Sequence, residues 1–228
     1  MHWNISVTNH SGRRSAQLAV SAKNANRLAV REFAHPPRLA NMSRLVAAYY
    51  TDKPDPAVAA QRVAFATSGH HGSALHCSFN EAHALSLSQA ICDYRTREGI
   101  YGPVFVGSDT NALSMLAFAT ALEVLAANGM EVLVTSNDEY LLVCTVSSAV
   151  LTHNRGQADR LADGIVISAP HERPENGGFE YIPPHGGSPD IYATRWIDTA
   201  ANEYLRWGPS SIRRRTHEEA ACCLRYAR

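Results

Sequence analysis

Apolar positions along the chain fall into two kinds of run: short consecutive blocks, and longer stretches in which they recur at helical spacing. Leu45, Val46, Tyr49 and Tyr50 predict a short amphipathic helix over Met42 to Tyr50, which Lys53-Pro54-Asp55-Pro56 ends by removing donors. Val63-Ala64-Phe65-Ala66 predicts a short strand leading into Thr67-Ser68-Gly69-His70-His71-Gly72. Ser78-Phe79-Asn80-Glu81 has the spacing of a capping box, and opens a helix through Ala82, Leu85, Leu87 and Ile91 that closes at Gly99. Val104 to Gly107 reads as a buried strand. A helix from about Ser114 follows, apolar at Leu116, Ala119, Leu122, Val124 and Leu125, and stops at Asn128-Gly129. Further strands are expected at Glu131 to Val134 and Ile165 to Ile167, with a helix near Val146 to His153 between them. A last helix runs from about Thr194 through Trp196 and Ile197 to Tyr204. Strands alternating with helices predict an α/β domain whose strands are buried between helices.

Three loops in this pattern each follow a predicted strand: Thr67–Gly72, Gly107–Asn111 and Ser168–Gly178. In a sheet of this class such loops gather at one edge, where ligands bind. The third is unusual. It leaves the strand through Ser168-Ala169-Pro170-His171 and then runs through Gly177-Gly178, Pro183-Pro184 and Gly186-Gly187. A stiff loop of this kind is a place to present a reactive side chain, yet the residues at its tip are a poor set for catalysis.

Composition narrows the choices. The chain has 228 residues, 45% of them hydrophobic, enough for a real core. Formal net charge is zero, but residues 1–51 carry seven Lys/Arg against one acid, Glu32, so the folded part is acidic. That balance argues against a nucleic-acid partner. Lys23 and Lys53 are the only lysines, and no Lys or Arg stands between Arg97 and Arg155. A Walker-type phosphate loop is excluded, as is a lysine clamp or Schiff base in the body of the fold. The odd cysteine set, Cys77, Cys92, Cys144, Cys222 and Cys223, has no C-x-x-C spacing and suits a reducing, cytoplasmic setting. No stretch reaches the roughly 20 apolar residues of a membrane span, so no membrane partner is expected. Residues 1–40, acid-poor with scattered Arg and Ser, read as a disordered leader with a faint transit-peptide character.

The three loops, together with Ala121-Leu122-Glu123-Val124-Leu125-Ala126-Ala127-Asn128-Gly129 and Leu161-Ala162-Asp163-Gly164-Ile165-Val166-Ile167, resemble the first domain of the α-D-phosphohexomutases, nearest their phosphoglucomutase members. The likeness runs from about Leu45 to Asn202. It implies a three-layer α/β/α domain with a mixed sheet between helices over residues 41–205, followed by a basic tail or linker at 206–228. It also implies a lineage of intramolecular phosphotransferases that interconvert glucose 1-phosphate and glucose 6-phosphate. In that family a phosphoserine, with Mg²⁺ nearby, passes its phosphoryl group through a glucose 1,6-bisphosphate intermediate, and further domains supply the metal loop and the sugar contacts.

The departures from the family pattern fall on the chemistry. The family's reactive loop reads T-P-S-H-N-P-P, then two glycines, Phe and Lys. Here Ser168-Ala169-Pro170-His171-Glu172-Arg173-Pro174 precedes Gly177-Gly178-Phe179-Glu180, which sets Pro170 in the nucleophile's place. Three further cation positions of the family correspond to His71, Ser108 and Glu180, and a T-P-T-P stretch to Leu141-Leu142-Val143-Cys144. Proline has no hydroxyl to phosphorylate, and phosphoryl transfer relies on positive charge around the moving group. The expectation is a chain of this lineage that does not catalyse. Ser168 is read as a turn hydroxyl and His171 as a structural loop residue rather than an acid/base. Thr67, Ser68 and His70 remain candidates for weak phosphosugar binding. His70, His71, His76 and His83 match no metal-ligand spacing, so no metal or cofactor is expected in this chain. Arg213-Arg214-Arg215 reads as a solvated run. The alternative is a non-catalytic phosphosugar-binding or protein-interaction domain, its partner covering the face that further domains occupy in the family, with the apolar Leu141–Val143 run as part of that face.

Overall fold

A computed structural model describes residues 41–65, 69–135, 140, 143–169, 173, 175–222 and 224–227. The expected leader at 1–40 lies outside the described residues, as do Leu141 and Leu142. Helix α1 (Met42–Thr51) is capped by Asn41, whose side chain accepts from the Arg44 N–H. Strand β1 (Gly69–Ser73) leads to α2 (Glu81–Glu98), which ends on Gly99 at φ 69°. There follow β2 (Val104–Ser108), α3 (Ala112–Ala127), β3 (Val132–Thr135), α4 (Val143–Asn154), β4 (Asp163–Ile167) and β5 (Asn176–Ile182). The chain then forms α5 (Ile191–Trp207), the short α6 (His217–Ala221) and β6 (Leu224–Ala227).

The six strands make one sheet in the order β1-β5-β4-β2-β3-β6. Strands β4, β2, β3 and β6 run parallel, and β5 and β1 add antiparallel at one side, so the sheet is mixed as expected. The main core packs one sheet face, through Val104, Val106, Ile165 and Ile167, against α1, α2, α3 and α5. A smaller cluster, Val146, Val150, Val166 and Ile182, holds α4 on the other face. A buried ion pair ties these layers together. Arg95 of α2, 1% exposed, sets its Nε 2.9 Å from Asp163 Oδ2 at the start of β4, and the Tyr181 hydroxyl donates to the same oxygen at 2.8 Å. Breaking such a pair leaves an uncompensated buried charge, at a cost of about 3–5 kcal/mol.

Three sequence expectations change. The strand expected at Val63–Ala66 forms instead within the supposed loop: Phe65 makes a single bridge to His70, and the ladder runs through Gly69–Ser73 against β5. Strand β5 itself occupies what read as a Gly/Pro loop. Its glycines are packing requirements, since a Cβ on Gly177 would overlap the Phe79 ring and one on Gly178 the Ser168 carbonyl. The cap of α2 is Asn80 rather than Ser78, and His83 Nδ1 accepts the Asn80 N–H at 3.1 Å. The run Arg213–Arg215 is exposed, and it is also tethered: Arg214 pairs with Glu123 at 2.5 Å and Glu81 at 2.8 Å, and the Arg215 N–H donates to the Glu123 carbonyl. Beyond it, β6 lines up on β3, with Arg225 paired to Glu131 at 2.7 Å.

Candidate functional site

Strands β2 and β4 run side by side in the same direction, with Ser108 opposite Ile167, so the loops that follow them emerge together at one sheet edge. Asp109 joins them. Its Oδ2 accepts from the Ser168 hydroxyl at 3.0 Å and from the Ala169 N–H at 2.8 Å, and its Oδ1 accepts the Asn111 N–H at 2.8 Å. Asn111 in turn caps α3 by accepting the Leu113 N–H at 3.1 Å. Burial pushes the Asp109 carboxyl up, but the hydrogen bonds it accepts outweigh that and hold it below its ordinary value. It is therefore a carboxylate fully engaged in fixing two loops.

Ser168 is 2% exposed, its N–H donates to the Gly178 carbonyl at 3.1 Å, and its hydroxyl is spent on Asp109. Ser108, 8% exposed, ends β2 one residue before Asp109. His71 lies opposite Gly178 on β1, and its ring covers the space that a Cβ on Gly178 would fill. Its Nε2 stands 3.8 Å from Glu180 Oε1, a pair that is ionic only when the imidazole is protonated. Of the residues singled out from sequence, His71, Ser108, Ser168 and Glu180 thus lie along the same end of the β1-β5-β4-β2 part of the sheet. Thr67, Ser68, Pro170 and His171 lie outside the described residues. The described acidic and basic groups here are the Asp109 and Glu180 carboxylates, His71, and an exposed Arg173 that pairs loosely with Glu175 at 3.9 Å.

His70 points to the other side of β1 and into the interior. Its Nδ1 accepts the Ala64 N–H at 3.2 Å and its Nε2 donates to the Ser78 carbonyl at 2.7 Å. The ring stacks on His83 at 5.3 Å and on Phe79 at 6.1 Å. Burial lowers its pKa, so a neutral ring is held in place by backbone on both sides. Sequence reasoning passed over Asp109; the signal was an Asp-x-Asn turn directly after a predicted strand. Among the described residues no group of three or more His, Cys, Asp or Glu is placed to hold a metal ion, and the oxygens of Asp109 already accept hydrogen bonds.

Residues 62–206 match the sequence model described as "Phosphoglucomutase/phosphomannomutase, alpha/beta/alpha domain I". A phosphoglucomutase of Komagataeibacter xylinus is 53% identical over 185 residues, which are 81% of this chain and 33% of that protein. The chain thus spans about a third of that relative's length. Among solved structures, a putative phosphomannomutase from Thermus thermophilus aligns with a TM-score of 0.54 at 23% identity, over 65% of this chain and 30% of the other. The Paramecium phosphoprotein pp63/parafusin, a phosphoglucomutase in its open form, aligns with a TM-score of 0.54 at 18% identity, over 66% and 26%. The two structures establish a shared fold.

Proposed function

The chain belongs to the phosphoglucomutase/phosphomannomutase family through its alpha/beta/alpha domain I, and from that premise we propose that it keeps the domain's architecture without its phosphoryl-transfer chemistry. The observation that carries this is Pro170, at the position where the family likeness places the phosphorylated serine. A proline offers no hydroxyl, and the covalent route to a bisphosphate intermediate is closed at that residue.

The neighbouring groups support the same reading. Ser168 cannot take over, because its hydroxyl is buried and already donates to Asp109, a weak base with its pKa held low. The cation positions of the family hold His71, Ser108 and Glu180, and the last sets a carboxylate where a migrating phosphoryl group needs positive charge. At about 6 Å and an effective dielectric of ~20, exchanging a cation for an anion beside a dianion changes the interaction by several kcal/mol. Among the described residues no cluster of carboxylates is placed to hold Mg²⁺, and both oxygens of Asp109 are engaged by hydrogen bonds. What remains is a binding domain: Thr67 and Ser68 keep hydroxyls for weak phosphosugar contact, while His70 is committed to backbone. A cytoplasmic setting belongs to the same proposal, in keeping with the free thiols of Cys77, Cys92, Cys144 and Cys222. Among the described residues no helix is long and apolar enough to cross a membrane.

The test is intact-mass analysis of the full chain after incubation with glucose 1,6-bisphosphate and Mg²⁺. We expect no phosphoryl adduct and no interconversion of the two glucose monophosphates. A stoichiometric adduct mapped to Ser168, or to any residue of the 168–175 loop, would overturn the proposal.

A further inference from the structure

After α5 the chain runs across the outside of the domain before it reaches the sheet again. Ile212 anchors the start of this path, packed with Leu85 of α2, Val124 of α3 and the partly buried Tyr204. From Arg213 onward the described residues are mostly exposed, and the buried side chain of α6 is Ala220 alone. Helix α6 has five residues and β6 four. Elements this short do not form by themselves, so each persists only while it is docked.

Charge and backbone do the docking. Arg214 sets Nη2 2.8 Å from Glu81 Oε1 and Nε 2.5 Å from Glu123 Oε2, which ties it to α2 and α3 at once. Arg225 Nη1 stands 2.7 Å from Glu131 Oε1, and the other oxygen of Glu131 accepts from Arg160 at 2.9 Å. In each of the pairs made by Arg214 and Arg225 the segment supplies the arginine and the domain body the glutamate. The Arg213 N–H donates to Gln89 Oε1 and the Arg215 N–H to the Glu123 carbonyl, both at 3.2 Å. Strand β6 then pairs with β3 from Leu224 opposite Val132 to Ala227 opposite Thr135. The side chains of Arg214 and Arg225 are 40% and 71% exposed, so dissolved salt screens both.

The ground beneath the segment is firmer. Strand β3 sits in the main core through Val132 and Val134, and its other side is paired with β2. Strand β6 is paired on one side only. Loss of the Arg225 contact leaves Glu131 still held by Arg160, so the body keeps a partner for that carboxylate. Departure of β6 makes β3 the edge strand, with its outward N–H and C=O groups unpaired and open to water or to another strand.

We propose that residues 213–222, together with β6, form an electrostatically latched strap that opens as one unit from Ile212 and so gates access to the β3 edge. The inference is independent of the loss of catalysis. It is tested by hydrogen–deuterium exchange of the full chain, followed by mass spectrometry on peptides from α6, β6, β3, β2 and β4, at about 0.05 M and about 1 M NaCl. At the higher salt, exchange in α6, β6 and the β3 edge should rise together by about tenfold, while β2 and β4 exchange as before. Arg214→Gln/Arg225→Gln should show the raised exchange already at low salt and lose most of the salt dependence. Exchange that rises equally in β2 and β4 overturns the proposal, because the opening is then global. So does exchange in α6 and β6 that ignores both salt and the substitutions, or that changes in one without the other. A double variant that fails to fold overturns it too, since a strap is dispensable to the domain body.

Discussion

His83 carries both ring nitrogens into the interior, accepting from the Asn80 N–H and donating to the Gln61 carbonyl at 3.0 Å. Only the neutral ring fits these partners. Burial is the main cause that lowers its pKa to about 3, with neighbouring His70 adding to the effect. The unfolded chain, with histidine near 6.5, therefore takes up the proton first as pH falls. Stability is full above about pH 6.5 and declines by about 1.4 kcal/mol per pH unit per buried histidine below it, until the folded ring protonates near 3. Asp109 acts in a lower window: its pKa is depressed, so its contribution is present above the ordinary carboxylate value and lost only as pH falls through its folded one. Melts between pH 6.5 and 4.5 should show His83→Gln declining less steeply than the unmodified chain, and equal slopes would refute the assignment. At this scale, residue type was legible from sequence and the surroundings of each side chain were not. That Pro170 carries no hydroxyl and Glu180 a carboxylate follows from residue type alone. The engagement of His70 and His83 depends on backbone carbonyls of other segments, Ser78 and Gln61, which no spacing reveals.

Between elements, α4 covers its sheet face alone among the described helices, through Val146 and Val150, and Gly164 of β4 lets it come close. A Cβ at Gly164 would lie 2.6 Å from Val146 Cγ1 and 3.4 Å from Val150 Cγ2. Gly164→Val should overpack this contact, cost about 1–3 kcal/mol and lower the melting midpoint by several degrees. An unchanged melt would mean that α4 is not seated on the sheet in this way. The same glycine logic explains which elements could be read in advance. Helices α1, α2, α3 and α5 announced themselves by apolar spacing and by caps such as Gly99, and β2, β3 and β4 by apolar runs. Strands β1 and β5 did not, because Gly69, Gly72, Gly177 and Gly178 sit where neighbours leave no room for a side chain, and glycine reads as a loop. The docking of β6 was hidden for another reason: a short strand on a sheet edge depends on ion pairs such as Arg225–Glu131, made across 94 residues of sequence.

Across the whole molecule, the absence of Lys and Arg between Arg97 and Arg155 and the pairing of His71 with Glu180 belong to one electrostatic fact. The described part of the sheet edge that gathers Asp109, Ser168, His71 and Glu180 carries two carboxylates and no lysine. A phosphate approaching it would meet carboxylates at Asp109 and Glu180, and a field of that sign repels an anion. On the proposed reading charge, rather than shape, limits anion binding at this edge, and the two can be separated. His71→Arg/Glu180→Lys replaces the partly exposed pair by cations and leaves the Asp109 clamp untouched. In the unmodified chain, millimolar inorganic phosphate should leave the melting midpoint where it is. In the double variant it should raise stability by RT ln(1 + [L]/Kd), about 1.4 kcal/mol at roughly ten times Kd, or a few degrees. The added affinity should fade as salt is raised, because a partly exposed site is screened. If the unmodified chain shifts as far as the variant, the edge binds anions through its backbone and hydroxyls alone, and charge is not what was lost. If neither shifts, the residues of this edge no longer form a pocket, and the loss reaches beyond side-chain charge to the loops themselves.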